Sequence, residues 1–477
     1  MKKIISLNIV FILLLTQCTT EEKSLTDYSS SFQVEKANPV SVILTTYSTT
    51  LIADGKDETN LRITIADSIS REISSANDSI FIYLSGDGKV LTKDGKDLPS
   101  GTDTAGNSYR ISRLENGVSD LLFRAGTSPG KVSVEARRGR LWPGSHEIHT
   151  VPSDFVYKKP EKKQLVKTER KIDRMIGADI SFLPQFEDRG LKFLENGTER
   201  DAIELLRDHG FNYIRLRIFV NPENERGYSP GEGYCGLAKS LEMAKRIKAA
   251  GMKLLLNFHY SDYWADPQQQ NKPEAWSELD FPTLKDSVRT YTTRVINAFK
   301  SQGTMPEMVQ VGNEINHGIL WPDGHISNPD QLAELLIAGT EGVRIESKDI
   351  PVMMHIALGG QNDESVFWLD NMIARDVSFD IIGISYYPRW HGTLNDLQYN
   401  LSYLVKRYGK PVNVVEYSNF KKEVHDIVFN LADNMGKGAC IWEPLGWRSE
   451  MFDRSGETTD IIHVYDELAA EYLGDDR

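Results

Sequence analysis

Residues 213–260, YIRLRIFVNPENERGYSPGEGYCGLAKSLEMAKRIKAAGMKLLLNFHY, decide the fold. YIRLRIFV (213–220) and KLLLNFHY (253–260) are apolar runs of strand length. Between them, Leu237, Leu241, Ala244 and Ile247 stand at helical spacing, and the pattern stops at Gly251. The unit is strand, helix, strand, and it recurs in both directions. Upstream lie MIGADIS (175–181) and the helical ERDAIELLRDHG (199–210). Downstream come MVQVGNE (308–314), VMMHIAL (352–358), FDIIGISYY (379–387), VNVVEYS (412–418) and GACIWEP (438–444). Eight strands alternating with helices over about 270 residues predict an α/β fold, the (β/α)8 TIM barrel, over 175–477. A doubly wound sheet would need a Gly-rich phosphate turn after its first strand, and GADIS is not one.

The part before the barrel has a different rhythm. Over 39–158, short alternating runs such as SVILTTYS (41–48), LRITIADS (61–68) and KVSVEAR (131–137) are separated by turns such as ADGKD (53–57) and TSPG (127–130). That pattern predicts a small all-β sandwich. It resembles bacterial immunoglobulin-like domains, shows no aromatic groove, and suits a spacer. A charged linker follows at 159–174. At the N-terminus, residues 1–17 carry two lysines and a short apolar run, which is a secretory signal rather than a membrane span. LLTQC (14–18) resembles a lipobox, with Cys18 as the lipidated residue and 18–38 as a tether. The early glutamates of CTTEEKS (18–24) resemble an export signal to the outer surface of the outer membrane. Cys235 and Cys440 are the other two thiols, too few and too far apart for a disulfide framework.

Net charge is −13, which gives no sign of a nucleic-acid binder held by phosphates and favours a neutral polymer over a polyanion. In a barrel of this kind, chemistry sits at the C-terminal ends of the strands. Those ends carry Asp179, Arg215 with Arg217, His259, Asn313 with Glu314, Tyr386, Glu416 and Trp442. Glu314 ends the fourth strand and Glu416 the seventh, so the two face one another across the mouth. Paired carboxylates are what glycoside cleavage needs, one to protonate the departing oxygen and one to attack the anomeric carbon.

HYSDYWADP (259–267), QVGNEINHGILWP (310–322), GISYYPRWHG (383–392) and IWEP (441–444) resemble glycoside hydrolase family 53, the endo-β-1,4-galactanases. The resemblance covers about residues 175–475. It implies Glu314 as acid/base, Glu416 as nucleophile, Tyr386 (with Tyr387 second) as hydrogen-bond donor to that nucleophile, and neutral galactan as substrate. Arg215 and Arg217 share a face; one of them is expected to pair with Glu416. Asn313 is expected to bond a sugar hydroxyl. His259 and Asp179 are binding candidates, each with a plain structural alternative. Among Trp264, Trp321, Trp390 and Trp442, the stacking platforms expected first are Trp442 and Trp321. Asn257 stands where the family usually has Asp; it shares a face with His259, so a local hydrogen bond is expected to change and the reaction is not.

Bacterial members of the family it resembles often carry a long Asp-rich excursion after strand seven that helps bind calcium. Here only Ser418 to Phe420 separate strand from helix, so the expectation is no metal, no cofactor and an open cleft. The partners expected are galactan and, through the lipid anchor alone, a membrane; no nucleic acid is expected, and the protein is expected to be a monomer. Two other readings stand beside this one: a relative cutting another neutral β-linked polymer, and a surface glycan-binding lipoprotein without turnover.

Overall fold

The structure, a computed structural model, describes residues 25–446 and 450–474. Cys18 and the signal segment lie outside the described residues, among which no helix is long and apolar enough to cross a membrane.

Eight parallel strands close into a barrel. They are β1 (Met175–Asp179), β2 (Tyr213–Ile218), β3 (Lys253–Phe258), β4 (Met308–Val311), β5 (Val352–Ile356), β6 (Ile381–Tyr386), β7 (Val412–Tyr417) and β8 (Gly436–Trp442). Each is followed by a helix on the outside: α1 (Ala202–Asp208), α2 (Leu237–Ala249), α3 (Phe281–Gln302), α4 (Pro329–Glu346), α5 (Asn362–Ile373), α6 (Leu394–Tyr408), α7 (Lys421–Phe429) and α8 (His463–Tyr472). Side chains alternate along each strand. One set, including Ile176, Ala178, Ile214, Leu216, Ile382 and Ile384, packs under the helices. The other fills the barrel: Met175, Tyr213, Leu255, Met308, Met353, Ile381, Val415 and Cys440 form an apolar floor. One step further along the same inward columns the residues turn polar: Asp179, Arg215, Arg217, Asn257, Gln310, His355 and Ser385, all buried. The site is therefore the upper layer of the barrel's own packing.

β7 breaks the alternation. Its register shifts against β6 between Gly383 and Ser385, and against β8 between Val414 and Tyr417. Such a bulge re-aims a side chain. Val415 belongs to the floor and Glu416 still points into the mouth, while Tyr417 turns outward to share a 2.8 Å hydrogen bond with Tyr465. At the end of β4, Gly312 takes φ +84, and a Cβ there would meet Ile315 at 2.6 Å. Glu314 follows at φ 50, ψ 54, a left-handed conformation that costs a non-glycine residue about 1–2 kcal/mol. That turn aims Glu314 inward.

Residues 33–151 form two six-stranded sheets around their own apolar core, as the alternating pattern predicts. The sandwich is not held apart from the barrel. Thr49 donates from its backbone N–H and its hydroxyl to Glu364 of α5, at 2.5 and 2.7 Å, and Thr50 donates to the same carboxylate at 2.9 Å. Glu364 is buried, and burial raises its pKa against those hydrogen bonds. His149 stacks on His317 at 3.9 Å, and Arg389 donates to the Pro143 carbonyl. Asn419, in the three-residue connection after β7, donates to the Ile69 carbonyl at 3.0 Å. A turn of the sandwich therefore lies against the short loop, and that side of the cleft has a wall where the sequence reading leaves it open.

Candidate active site

A cleft of about 680 Å³ opens at the C-terminal end of the barrel. Asp179, Arg215, Arg217, His259, Asn313, Glu314, Glu416 and Trp442 all line it, so eight sequence-chosen residues from six strands meet there. A carboxylate oxygen of Glu314 and one of Glu416 lie within 4.8 Å of each other.

The two carboxylates have unlike surroundings. Glu416 Oε2 accepts from Arg215 Nη1 at 2.9 Å, and Oε1 accepts from the Tyr387 hydroxyl at 2.8 Å. Arg215 is itself fixed by Asp179 at 3.0 Å and Asn313 at 2.8 Å. Burial pushes Glu416 up, opposed by the Arg215 charge and the Tyr387 hydrogen bond. Glu314 has no such guanidinium bonded to it. Its Oε1 accepts from Ser385 Oγ at 2.6 Å. Burial first, and then the Glu416 charge, hold it well above the usual carboxylate range. His355, kept neutral by burial and the nearby Arg215, lies 2.8 Å from Ser385 Oγ through Nε2. Because Ser385 donates to Glu314, His355 Nε2–H is the donor to Ser385. Its Nδ1 then accepts from Gln310 Nε2 at 2.9 Å.

Residues 175–441 match the family model described as Glycosyl hydrolase family 53, more than half of the chain. The chain belongs to that family. It is accordingly a glycoside hydrolase. It is 43% identical over 251 residues to an uncharacterized protein of Niallia circulans, covering 51% of this chain and 66% of that one. It is 36% identical over 304 residues to arabinogalactan endo-beta-1,4-galactanase A of Emericella nidulans, covering 57% of this chain and 84% of that one. Among solved structures, the Ignisphaera aggregans GH53 catalytic domain superposes with TM-score 0.58 at 30% identity, over 65% of this chain and 98% of that one. The family match begins at β1, so the sandwich is outside it.

Within the family site, several sequence expectations need correction. Tyr386 does not reach Glu416. It belongs to the outward set of β6 with Ile382 and Ile384, is fully buried, and donates to the Gly392 carbonyl at 3.2 Å. The hydroxyl on Glu416 is that of Tyr387, one residue past the strand. Trp321 is not among the cleft residues; its indole N–H donates to the His317 carbonyl at 2.9 Å and its ring packs beside His149 of the sandwich. Trp264, Trp390 and Trp442 do line the cleft. Asn313 is largely committed to the protein: its Oδ1 accepts from Arg215 and Asn257, and its Nδ2 donates to the Ala265 carbonyl at 2.9 Å. These bonds fix Asn313 in the cleft lining and use only one of its two Nδ2 hydrogens, so the expected bond to a sugar hydroxyl is not contradicted. His259 is likewise held, with Nδ1 accepting from the Ala265 N–H at 3.1 Å; Nε2 then carries the ring proton, so Asn257 Nδ2, 3.2 Å away, faces it as a second donor and not as a hydrogen-bond partner.

Four functional residues were missed. Ser385 and His355 support Glu314, as above, and Gln310 supports His355. Glu443 accepts from Arg217 at 2.6 Å, and burial pushes it up to about 8 against that cation. Arg217 lies between Phe182 and Trp264, 4.3 Å from each ring, so its guanidinium stiffens the aromatic side of the cleft.

Proposed function

We propose that the chain is a retaining endo-β-1,4-galactanase in which Glu416 is the nucleophile and Glu314 the acid/base. The observation that carries this reading is the pair of carboxylates within 4.8 Å of each other, one bonded to a guanidinium and a phenol and the other to a serine hydroxyl. Retaining enzymes hold their two groups about 5–5.5 Å apart, whereas inverting ones leave about 6.5–9.5 Å for a water. Arg215 and the Tyr387 hydroxyl favour the charged Glu416, the form that attacks the anomeric carbon. The neighbouring charge and burial favour the protonated Glu314, the form that donates to the departing oxygen. After the leaving sugar departs, the ionised Glu314 takes a proton from water. That water cleaves the glycosyl ester, frees Glu416 and restores the proton to Glu314. The galactan substrate is supported by the names of relatives, including the endo-beta-1,4-galactanase of Bacillus subtilis, 35% identical over 247 residues. We further infer an exported, lipid-anchored enzyme on the outer membrane, on the strength of the lipobox at Cys18.

Reducing-end release from linear galactan, mannan and xylan tests the substrate, with Glu314→Ala and Glu416→Ala as probes of the roles. Glu416→Ala should abolish turnover on every substrate. Glu314→Ala should lose polysaccharide hydrolysis yet retain activity on aryl galactosides, whose leaving groups need little protonation. Full galactan hydrolysis in either variant would refute the roles. Galactan binding without hydrolysis by the wild type would make the protein a glycan-binding lipoprotein instead.

A further inference from the structure

The cleft does not end at the barrel. Ser145, His146 and Glu147, on the sandwich strand Gly144–Val151, line it together with Gln361, Arg389 and Trp390 of the barrel. The two sets are joined at one atom: the Trp390 carbonyl accepts from Gln361 Nε2 at 2.8 Å and lies 3.1 Å from His146 Nε2. Gln361 is only 2% exposed, yet its Oε1 has no hydrogen-bond partner in the protein. Glu147 Oε2 and Arg389 Nε, on half-buried residues, also lack a hydrogen-bond partner in the protein. Buried polar atoms are nearly always paired, and three unpaired ones in the same cleft wall are what an incoming ligand would satisfy. Beside them the Trp390 ring is 38% exposed, a flat apolar face at the cleft's lip.

The chemistry of this wall selects its ligand. Gln361 Oε1 and Glu147 Oε2 are acceptors and Arg389 Nε is a donor, a mixture that suits hydroxyl groups, which both donate and accept. Lys131 already neutralises Glu147 through Oε1 at 2.6 Å, so the wall has no uncompensated negative charge to recruit a cation. An indole face next to such groups fits the C–H face of a pyranose ring. We propose that the sandwich and the barrel together form a subsite for a neutral hexopyranose unit of the polysaccharide, away from the scissile bond. This rests on the galactanase reading above. It gives the N-terminal domain a part in substrate binding that lies outside the family's own barrel.

Full-length Glu147→Ala and Ser145→Trp, the first removing an acceptor and the second filling the space, test the proposal. Linear β-1,4-galactan is compared with an aryl β-galactoside of a single sugar, which fills only the positions beside Glu314 and Glu416, and melting temperatures verify folding. Loss of one hydrogen bond should raise KM on galactan roughly five-fold in Glu147→Ala, and more in Ser145→Trp. The kcat and the rate on the aryl substrate should stay at wild-type values. Unchanged galactan KM in both folded variants would overturn the subsite, as would equal losses on the two substrates. A wild type that leaves galactan uncut would overturn the substrate reading and this inference together, a result distinct from either.

Discussion

Replacing Ser385 with alanine isolates the hydrogen bond that tunes Glu314. Ser385 is fully buried, and its Oγ sits 2.6 Å from Glu314 Oε1. The bond favours the ionised carboxylate, and burial and Glu416 oppose it. A hydrogen bond to a charged group contributes about 1.5–3 kcal/mol. At about 1.4 kcal/mol per pKa unit, its loss should move Glu314 upward by roughly 1–2 units. The sign follows from the role: the acid must be protonated, so activity is lost as pH rises through its pKa, and a higher pKa moves that loss to higher pH. The pH profile of kcat/KM on galactan should therefore keep its acidic limb, set by ionisation of Glu416, and shift its basic limb upward. The rate at the optimum should also fall by about ten-fold, because Glu314 loses the hydroxyl that orients it. A basic limb that stays in place, or moves down, in a variant with normal melting temperature would refute the account of where the proton sits.

Two further outcomes follow, one from the site geometry and one from the lipobox-like sequence at Cys18. Tyr387→Phe should lower kcat by about 10- to 100-fold, because a hydrogen bond to a buried charge is lost, whereas Tyr386→Phe should change activity less than about two-fold and cost about 1 kcal/mol of stability; the two variants' kcat values and melting temperatures check both. Cys18→Ala should move the protein from the membrane fraction to the soluble one on cell fractionation, and retention would place the anchor elsewhere.

Most of the barrel was legible because its strands are short apolar runs closed by turn residues and its helices carry a clear 3.6-residue period. The carboxylate pair was legible for a related reason: strand ends map onto one rim, so Glu314 and Glu416 could be placed without any contact information. The confusion of Tyr386 with Tyr387 was avoidable. Ile382, Ile384 and Tyr386 stand two apart, so Tyr386 belongs with the outward face, and Ser385 with the inward one. The aim of Glu416 was not legible, since it depends on a register shift between β6 and β7 that no local pattern records. Trp321 failed because a tryptophan near a strand end looks the same whether it faces sugar or a neighbouring domain. The docking of Thr49 on Glu364 joins residues more than 300 positions apart, and neither carries a signature of the other. For that reason the sandwich looked like a spacer and was found to wall the cleft.

Double displacement at Glu416 with Glu314 as acid/base fixes the anomeric configuration of the first product, and that configuration is its most direct test. Proton NMR on linear β-1,4-galactan, recorded within the first minutes of hydrolysis, resolves the new reducing end before mutarotation mixes the anomers. With retention, the β-anomer appears first and the α-anomer grows in later. An α-anomer formed first would mean inversion, and would contradict the carboxylate roles assigned here.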